Sequence, residues 1–378
     1  SRPNTVFALR VGRFFDFNPG EGLDDDSIEV TLATDNTNAI VGMFSGRDLQ
    51  IFTKGGEFFL PQSSLDPITP SNVVINGATR RGAKEGIKPV GAESGTLFIQ
   101  RAGKALREFL FSDVELSYIS NNISLLSSHL LKNPTDMALR KATSTTDGDL
   151  LLLVNATDGS LATYSILRGQ NVIAPSLSTT DGTFEKVGVD VDQIYFVIKR
   201  TISSSTKYYV ECFNDDNTTD SSKLLSGGSK PSTTTVTGLS HLEGKTVKVI
   251  ADDSMQNDKT VSSGQITLDA VPTTYVEIGL DYTPEVKTLP VELKLSSGNI
   301  VAQKKRIIEA TCNLYLSQNL TLNGKDFLFT VGSGQFFTGK KRRKPMLGFD
   351  REGQMTFSQS SPLFFTLLGV EYKVSVGQ

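Results

Sequence analysis

Between residues 40 and 212 the apolar positions fall mostly in short runs rather than in the three- and four-residue spacing of a helix. Each run is closed by a turn of Gly, Asp, Asn, Ser or Lys. The clearest case is Ser94 to Phe111. Leu97-Phe98-Ile99 leads into Arg101-Ala102-Gly103-Lys104, and Ala105 to Phe111 leads out. This pattern predicts a β-hairpin, with Gly103 supplying the positive φ that a tight turn needs. The same phrase recurs. Leu49 to Phe52 turns at Thr53-Lys54-Gly55-Gly56 into Glu57 to Leu60. Leu150 to Val154 turns at Asn155 to Gly159 into Ser160 to Tyr164. Ile194 to Ile198 turns at Lys199 to Thr206 into Lys207 to Val210. Each phrase follows a small apolar strand: Ala39 to Val41, Ile87 to Val90, Met137 to Leu139 and Val187 to Val189. A strand–turn–strand–turn–strand unit every 45 to 55 residues, roughly, is the spacing of propeller blades.

The rest of the chain punctuates this repeat. Residues 61 to 86 begin as a Pro/Ser/Asn-rich link and reach Ala78 to Lys84, a polar surface loop whose Arg80, Arg81 and Lys84 form a basic patch. Apolar residues at 123, 126 and 130, capped by Asn121 or Asn122 and stopped by Asn133-Pro134, predict one short helix. Residues 213–235 are low in complexity and read as an exposed loop. Alternating strands at 245–250, 265–268 and 275–280 read as an inserted small β-domain spanning 236–290, and residues 291–378 return to strands that close the body. Lys340-Lys341-Arg342-Arg343-Lys344 is a run of mutually repelling cations, which predicts an exposed loop. The expected fold class is therefore all-β: a β-propeller-like body over 1–212, an inserted small β-barrel domain and one short helix.

Composition narrows the chemistry. A formal charge of −3 gives no general attraction to nucleic acid or anionic membrane. No apolar run is long enough for a membrane-spanning helix. Ser1-Arg2-Pro3, with no initiating Met and no secretory leader, reads as a processed or truncated start. Cys212 and Cys312 sit in strand-like surroundings and read as buried free thiols. With two histidines, His129 and His241, no histidine-rich metal site is available. Asp24-Asp25-Asp26 lacks the alternate spacing and central Gly of a calcium loop and reads as a solvated turn or helix-start cluster. Ser128 and His129 are adjacent, so on a helix they point about 100° apart and cannot form an activated pair. Asp181-Gly182 lacks the intervening residue of the Asp-box turns of sialidase propellers and reads as a simple turn. No catalytic residue and no cofactor is expected. The cations Arg80, Arg81, Lys84, Lys340, Lys341, Arg342, Arg343 and Lys344 are the candidate contacts to an acidic partner or to DNA.

Several phrases also resemble a known family. They include Ser1 to Val6, Gly12 to Phe17, Gly22 to Ile28, Phe44 to Thr53, Gly55 to Phe58, Ile68 to Asn72, Leu97 to Lys104 and Arg107 to Phe109. Gly238 to Ile250, Tyr275 to Thr283 and Lys287 to Pro290 continue the series. In order and spacing they resemble the tail nozzle, or tail stabilisation, proteins of short-tailed bacteriophages, over nearly the whole chain. The family has more chain before this start, and residues 213–235 are less similar than their flanks. The resemblance implies a homohexameric ring in the virion, extending the tail below the head-to-tail connector and lining the DNA exit channel. Its partners would be other copies of itself, the connector, tail fibre or spike proteins, and genomic DNA in transit. A conduit for DNA should not hold phosphates tightly. Two other readings stand beside it: a propeller-type glycan hydrolase of the virion and a monomeric binding propeller. The first reading carries the expectation that the chain is not an enzyme.

Overall fold

The computed structural model describes residues 2–33, 38–61, 66–93, 95–144, 147–292, 294–295, 298–299, 303–329, 332–345 and 348–377. Ser1, Ser94 and the 62–65 stretch of the Pro/Ser-rich link, which figure in the sequence reading, lie outside them. The chain divides into two compact units. One comprises residues 1–200 and 206–213, the other 201–205 and 214–378.

The first unit is built from antiparallel meanders in which sequence neighbours are also sheet neighbours. The first sheet runs Ile40–Ser45, Leu49–Thr53, Glu57–Leu60, Asn76–Thr79. The second runs Val90–Gly91, Thr96–Ile99, Leu106–Ser112, Ser117–Asn122. The third runs Pro134–Arg140, Asp149–Asn155, Leu161–Leu167, Val172–Ser178. The fourth has three strands, Thr183–Asp190, Gln193–Ile202 and Ser205–Cys212. These are the blades the recurring hairpins predicted, and the fold class is all-β and propeller-like.

Period-two alternation explains how the sheets stack. Successive side chains of a strand point to opposite faces. Phe98 packs with Phe52, Phe59 and Phe109 against the first sheet. Its neighbours Leu97 and Ile99 pack with Leu151, Leu153 and Tyr164 of the third. Leu152 and Val154 turn the other way, onto Phe184, Ile194 and Phe196 of the fourth. A central strand buried on both faces reads as an unbroken apolar run, which is why Leu150 to Val154 shows no polar alternation. Each fully buried Leu or Phe contributes about 1.5–3 kcal/mol.

The turns are fixed by local hydrogen bonds. The Thr53 hydroxyl accepts the Gly56 N–H at 3.0 Å and donates to the Gly56 carbonyl at 2.7 Å. Asn155 does similar work in the third sheet: its amide donates to the Leu130 carbonyl at 2.9 Å and to Ser160 Oγ at 3.0 Å. Gly103 has φ +68°, the left-handed backbone expected of it.

The second unit has two cores. In one, Asp220–Ser226 and Thr246–Ala251 flank Tyr275–Leu280, and Thr235–Thr237 pairs with Gln265–Thr267 around Val247, Val249, Val276 and Ile278. In the other, the thirteen-residue strand Lys305–Ser317 lies between Phe337–Arg343 and Thr366–Val376. Cys312, Leu314, Leu322 and Phe357 fill that core.

Four expectations are corrected. The helix expected near 121–131 is a single 3₁₀ turn, Ser128–Leu130, because Ser117–Asn122 is recruited as a strand against Leu106–Ser112. The Ser124 hydroxyl donates to Asn122 Oδ1 at 3.0 Å and accepts the Leu106 N–H at 2.9 Å, tying the segment into turns. Leu126, expected on a buried face, is 94% exposed. Residues 213–235 are not a simple loop: Asp220–Ser226 pairs with Tyr275–Leu280, far along the chain. The cations Lys340 to Arg343 lie in a strand, not a loop, because Lys305–Ser317 offers them a long antiparallel partner. Cys212 is exposed, since it lies on a sheet edge, whereas Cys312 is buried.

Candidate functional site

Arg80, Arg81 and Lys84 follow the outermost strand of the first sheet. The segment is anchored on Glu57, whose carboxylate is completely buried. Thr79 Oγ1 donates to Glu57 Oε2 at 2.5 Å and the Arg81 N–H donates at 3.2 Å. Burial pushes the Glu57 carboxyl above its ordinary pKa, against the hydrogen bonds from Thr79, Arg81 and Gly82 and the charge of Arg107. The backbone thus leaves Arg80 and Arg81 exposed. Lys84 is half-buried, with its ammonium on Asn133 Oδ1, and burial lowers its pKa. The patch therefore has two accessible cations and a third that is engaged.

The run Lys340 to Lys344 is divided by the pleat. Lys341 turns to one face, where its ammonium lies 4.5 Å from the Phe337 ring centre and 5.5 Å from that of Phe329, and donates to the Leu328 carbonyl at 2.8 Å. Arg343 lies 5.8 Å from the Phe327 ring centre and donates to the Asp326 carbonyl. On the other face Lys340 meets Glu371 at 2.8 Å and Arg342 meets Glu309 at 3.6 Å. Four cations that read as one positive block are thus divided between two faces, and two of them are compensated by carboxylates from other strands.

The Asp24–Asp26 cluster is structural. Asp26 accepts the backbone N–H groups of Glu21, Gly22 and Leu23 at 3.1, 3.0 and 2.9 Å, and Arg10 lies 3.2 Å away. The Leu23 hydrogen bond leads in lowering its pKa, with burial opposing. Among the described residues, no three His, Cys, Asp or Glu side chains are grouped to hold a metal ion.

The sequence reading passed over one concave feature. A cleft of about 380 Å³ opens at the end of the third sheet, bordered by Glu93, Lys141, Asp147 and Asp149. Asp149 Oδ1 accepts the Ala142 N–H at 2.9 Å, and Oδ2 lies 3.4 Å from Lys141 Nζ. Asp147 Oδ2 accepts from Arg140 Nη2 at 3.1 Å and from Thr143 Oγ1 at 3.2 Å. The only signal in the sequence is a second aspartate two residues after Asp147.

No family model matches the chain. No curated protein matches it either. Among solved structures, the chain is similar to exo-β-1,3-galactanase from Phanerochaete chrysosporium. Two single-residue variants of that protein with β-1,3-galactotriose give TM-scores of 0.26 and 0.27, and the protein with galactose gives 0.23. In each case identity is 8%, over 92% of this chain and 87% of the other. The expectation that the chain is not an enzyme finds no support among these structures, which are named as an enzyme. Similarity at this level transfers neither their substrate nor their chemistry.

Proposed function

We propose that the chain is a structural subunit of the tail nozzle ring of a short-tailed bacteriophage, bordering the DNA exit channel below the head-to-tail connector. The observation that carries this reading is the apolar arm at the start of the first unit. Phe7, Leu9, Val11, Phe14, Phe15, Phe17 and Leu23 are all exposed, with Phe14 and Phe15 at 84% and 90%. The arm is nevertheless held in place by the three N–H bonds to Asp26 and the pairing of Thr5–Ala8 with Ile28–Thr31. So many exposed apolar side chains on one anchored segment favour a protein contact, and the family resemblance supplies the partner: neighbouring subunits and the connector. The divided strand Phe337–Arg343 suits a conduit, since cations already engaged by Glu309, Glu371 and aromatic rings add little phosphate affinity. The test is the particle mass in solution, followed by negative-stain imaging with and without the connector. A ring of about six subunits with a central hole is the expected result. A chain that stays out of any ring even with connector present sinks the reading.

The cleft at Asp147 and Asp149 favours a second reading, glycan hydrolysis, which needs one carboxyl to donate a proton and another to act as a charged partner. Release of sugar from capsular or lipopolysaccharide glycans, lost in Asp149→Asn with the fold intact, would put this reading first.

A further inference from the structure

The first three sheets each have four strands, but the fourth stops at three. The described residues do not supply a fourth strand: after Phe213 the next strand, Asp220–Ser226, pairs with Tyr275–Leu280. Among the described residues no strand pairs with the outer edge of Ser205–Cys212. That edge is eight residues long, with Tyr208 and Val210 at 64% and 74% exposure. Proteins ordinarily protect such an edge, because its free N–H and carbonyl groups are a template for another strand.

We infer that a second copy of this chain completes the sheet, the two Ser205–Cys212 strands pairing antiparallel about a two-fold axis at Tyr209. Backbone geometry and charge both select this register. The Phe213 N–H donates to the Ile194 carbonyl at 2.9 Å, and the Ser203-Ser204 turn, with φ of 47° and 62°, sets Ile202 opposite Ser205. Both observations direct the odd-numbered N–H groups from 205 to 213 inward, onto Gln193–Ile202. The N–H and carbonyl groups of Thr206, Tyr208, Val210 and Cys212 therefore point to the open edge. Centring the axis on Tyr209 sets Tyr208 of each copy opposite Val210 of the other, and Thr206 opposite Cys212. All four outward residues then find hydrogen-bonding partners, giving about eight bonds. The same register sets Lys207 opposite Glu211 at both ends, opposite charges on one face, while Tyr208 and Val210 pack on the other. Moving the axis by one residue, to Tyr208 or Val210, still pairs outward groups but shortens the ladder to about six bonds and takes Lys207 away from Glu211.

The contact does not rest on the nozzle reading. In a ring whose subunits all point the same way, neighbours are not related by a two-fold axis, so this pairing belongs to the free protein. The experiment is oxidative cross-linking of the full chain in a Cys212→Ser background, read on non-reducing gels with the solution mass measured alongside. The two copies of residue 209 face each other as a non-hydrogen-bonded pair, about 4.5 Å apart between Cα atoms, within disulfide reach. Tyr209→Cys is expected to give a linked dimer. Lys207→Cys is expected to give none, because its counterpart lies four residues out of register, about 13 Å away. Val210→Pro removes an N–H that faces the open edge and spares the bonds to Gln193–Ile202, so the dimer should fall to monomer with the circular dichroism unchanged. If that variant misfolds, the cross-linking comparison still decides. A chain that is monomeric at every concentration, or equal linking at 209 and 207, overturns the inference. A six-fold ring without the 209 link overturns it and leaves the nozzle reading standing; a linked dimer that never forms a ring does the reverse.

Discussion

Arg200 and Glu211 form a two-pronged ion pair: the guanidinium Nε and Nη2 each donate to a different carboxylate oxygen at 2.7 Å. Arg200 is 2% exposed and also donates to the Asp181 carbonyl at 2.8 Å. The pair ties the last two strands of the fourth sheet to the loop before it. Glu211→Ala strands a buried cation and is expected to cost about 3–5 kcal/mol. The double change Arg200→Met with Glu211→Leu should cost less than that, because no charge is left behind. Urea unfolding of the three proteins makes the comparison. A single variant no less stable than the double one would show that the pair does not hold the sheet.

Phe109 is fully buried and stacks on Tyr118 with ring centres 4.6 Å apart and planes at 10°, while Phe52 meets it edge-on at 5.5 Å. Phe109→Ala should lose about 3–5 kcal/mol through the cavity it opens between the first two sheets. Phe14→Ala, on the exposed arm, should leave thermal stability nearly unchanged. If the arm is a contact, the same change should weaken assembly with the connector. Unfolding and co-sedimentation read the two effects separately.

Asp158 accepts from Lys132 Nζ at 2.7 Å and from Ser160 Oγ at 2.6 Å. Burial opposes, but these bonds win and bring its pKa down from 3.8 to about 2. A carboxyl whose folded pKa lies below its unfolded value stabilises the fold above the unfolded value. That stability is lost as pH falls from about 4 through about 2. Asp158→Asn should therefore flatten the acid limb of the melting-temperature profile in this window. An unaltered limb would mean that the bonds to Lys132 and Ser160 are not maintained in solution.

Glu57 titrates in the opposite sense. Burial raises its pKa above 4.5, so its contribution is present below the unfolded pKa and is lost as pH rises through the folded one. Glu57→Gln cannot ionise, and its amide oxygen can still accept from Thr79 and Arg81. The variant should gain stability relative to the parent as pH rises from 4 toward 7. Parallel profiles across that range would contradict the assignment.

Lys340 and Arg342 are held by Glu371 and Glu309. Replacing both acids with Gln should release the two cations. Duplex DNA affinity at low salt should then rise, and the slope of log affinity against log salt should steepen by about one to two units. Fluorescence anisotropy at several salt concentrations tests this. An unchanged slope would mean that the freed cations do not reach phosphate.

The sequence by itself determined the hairpins, since a period of two and a turn residue are local properties. Leu97 to Ile99, Gly103 and Leu106 to Phe111 lie where the pattern put them, and so do the phrases at 49–60 and 150–164. The all-β class followed from the same signals. What the sequence did not carry were decisions made by distant partners. Asp220–Ser226 looks like a polar linker until Tyr275–Leu280 pairs with it. Ser117–Asn122 is a strand because Leu106–Ser112 is beside it. Lys340 to Arg343 shows no hydrophobic alternation, because every position is a cation, so only the neighbouring strand reveals which side chain turns to Phe337 and which to Glu371. The cleft at Asp147 and Asp149 and the open edge at Ser205–Cys212 are likewise tertiary facts. A strand's local energy is small until a partner satisfies its backbone. The chain alone therefore specifies where strands can form, and their packing decides which do and which edges remain open.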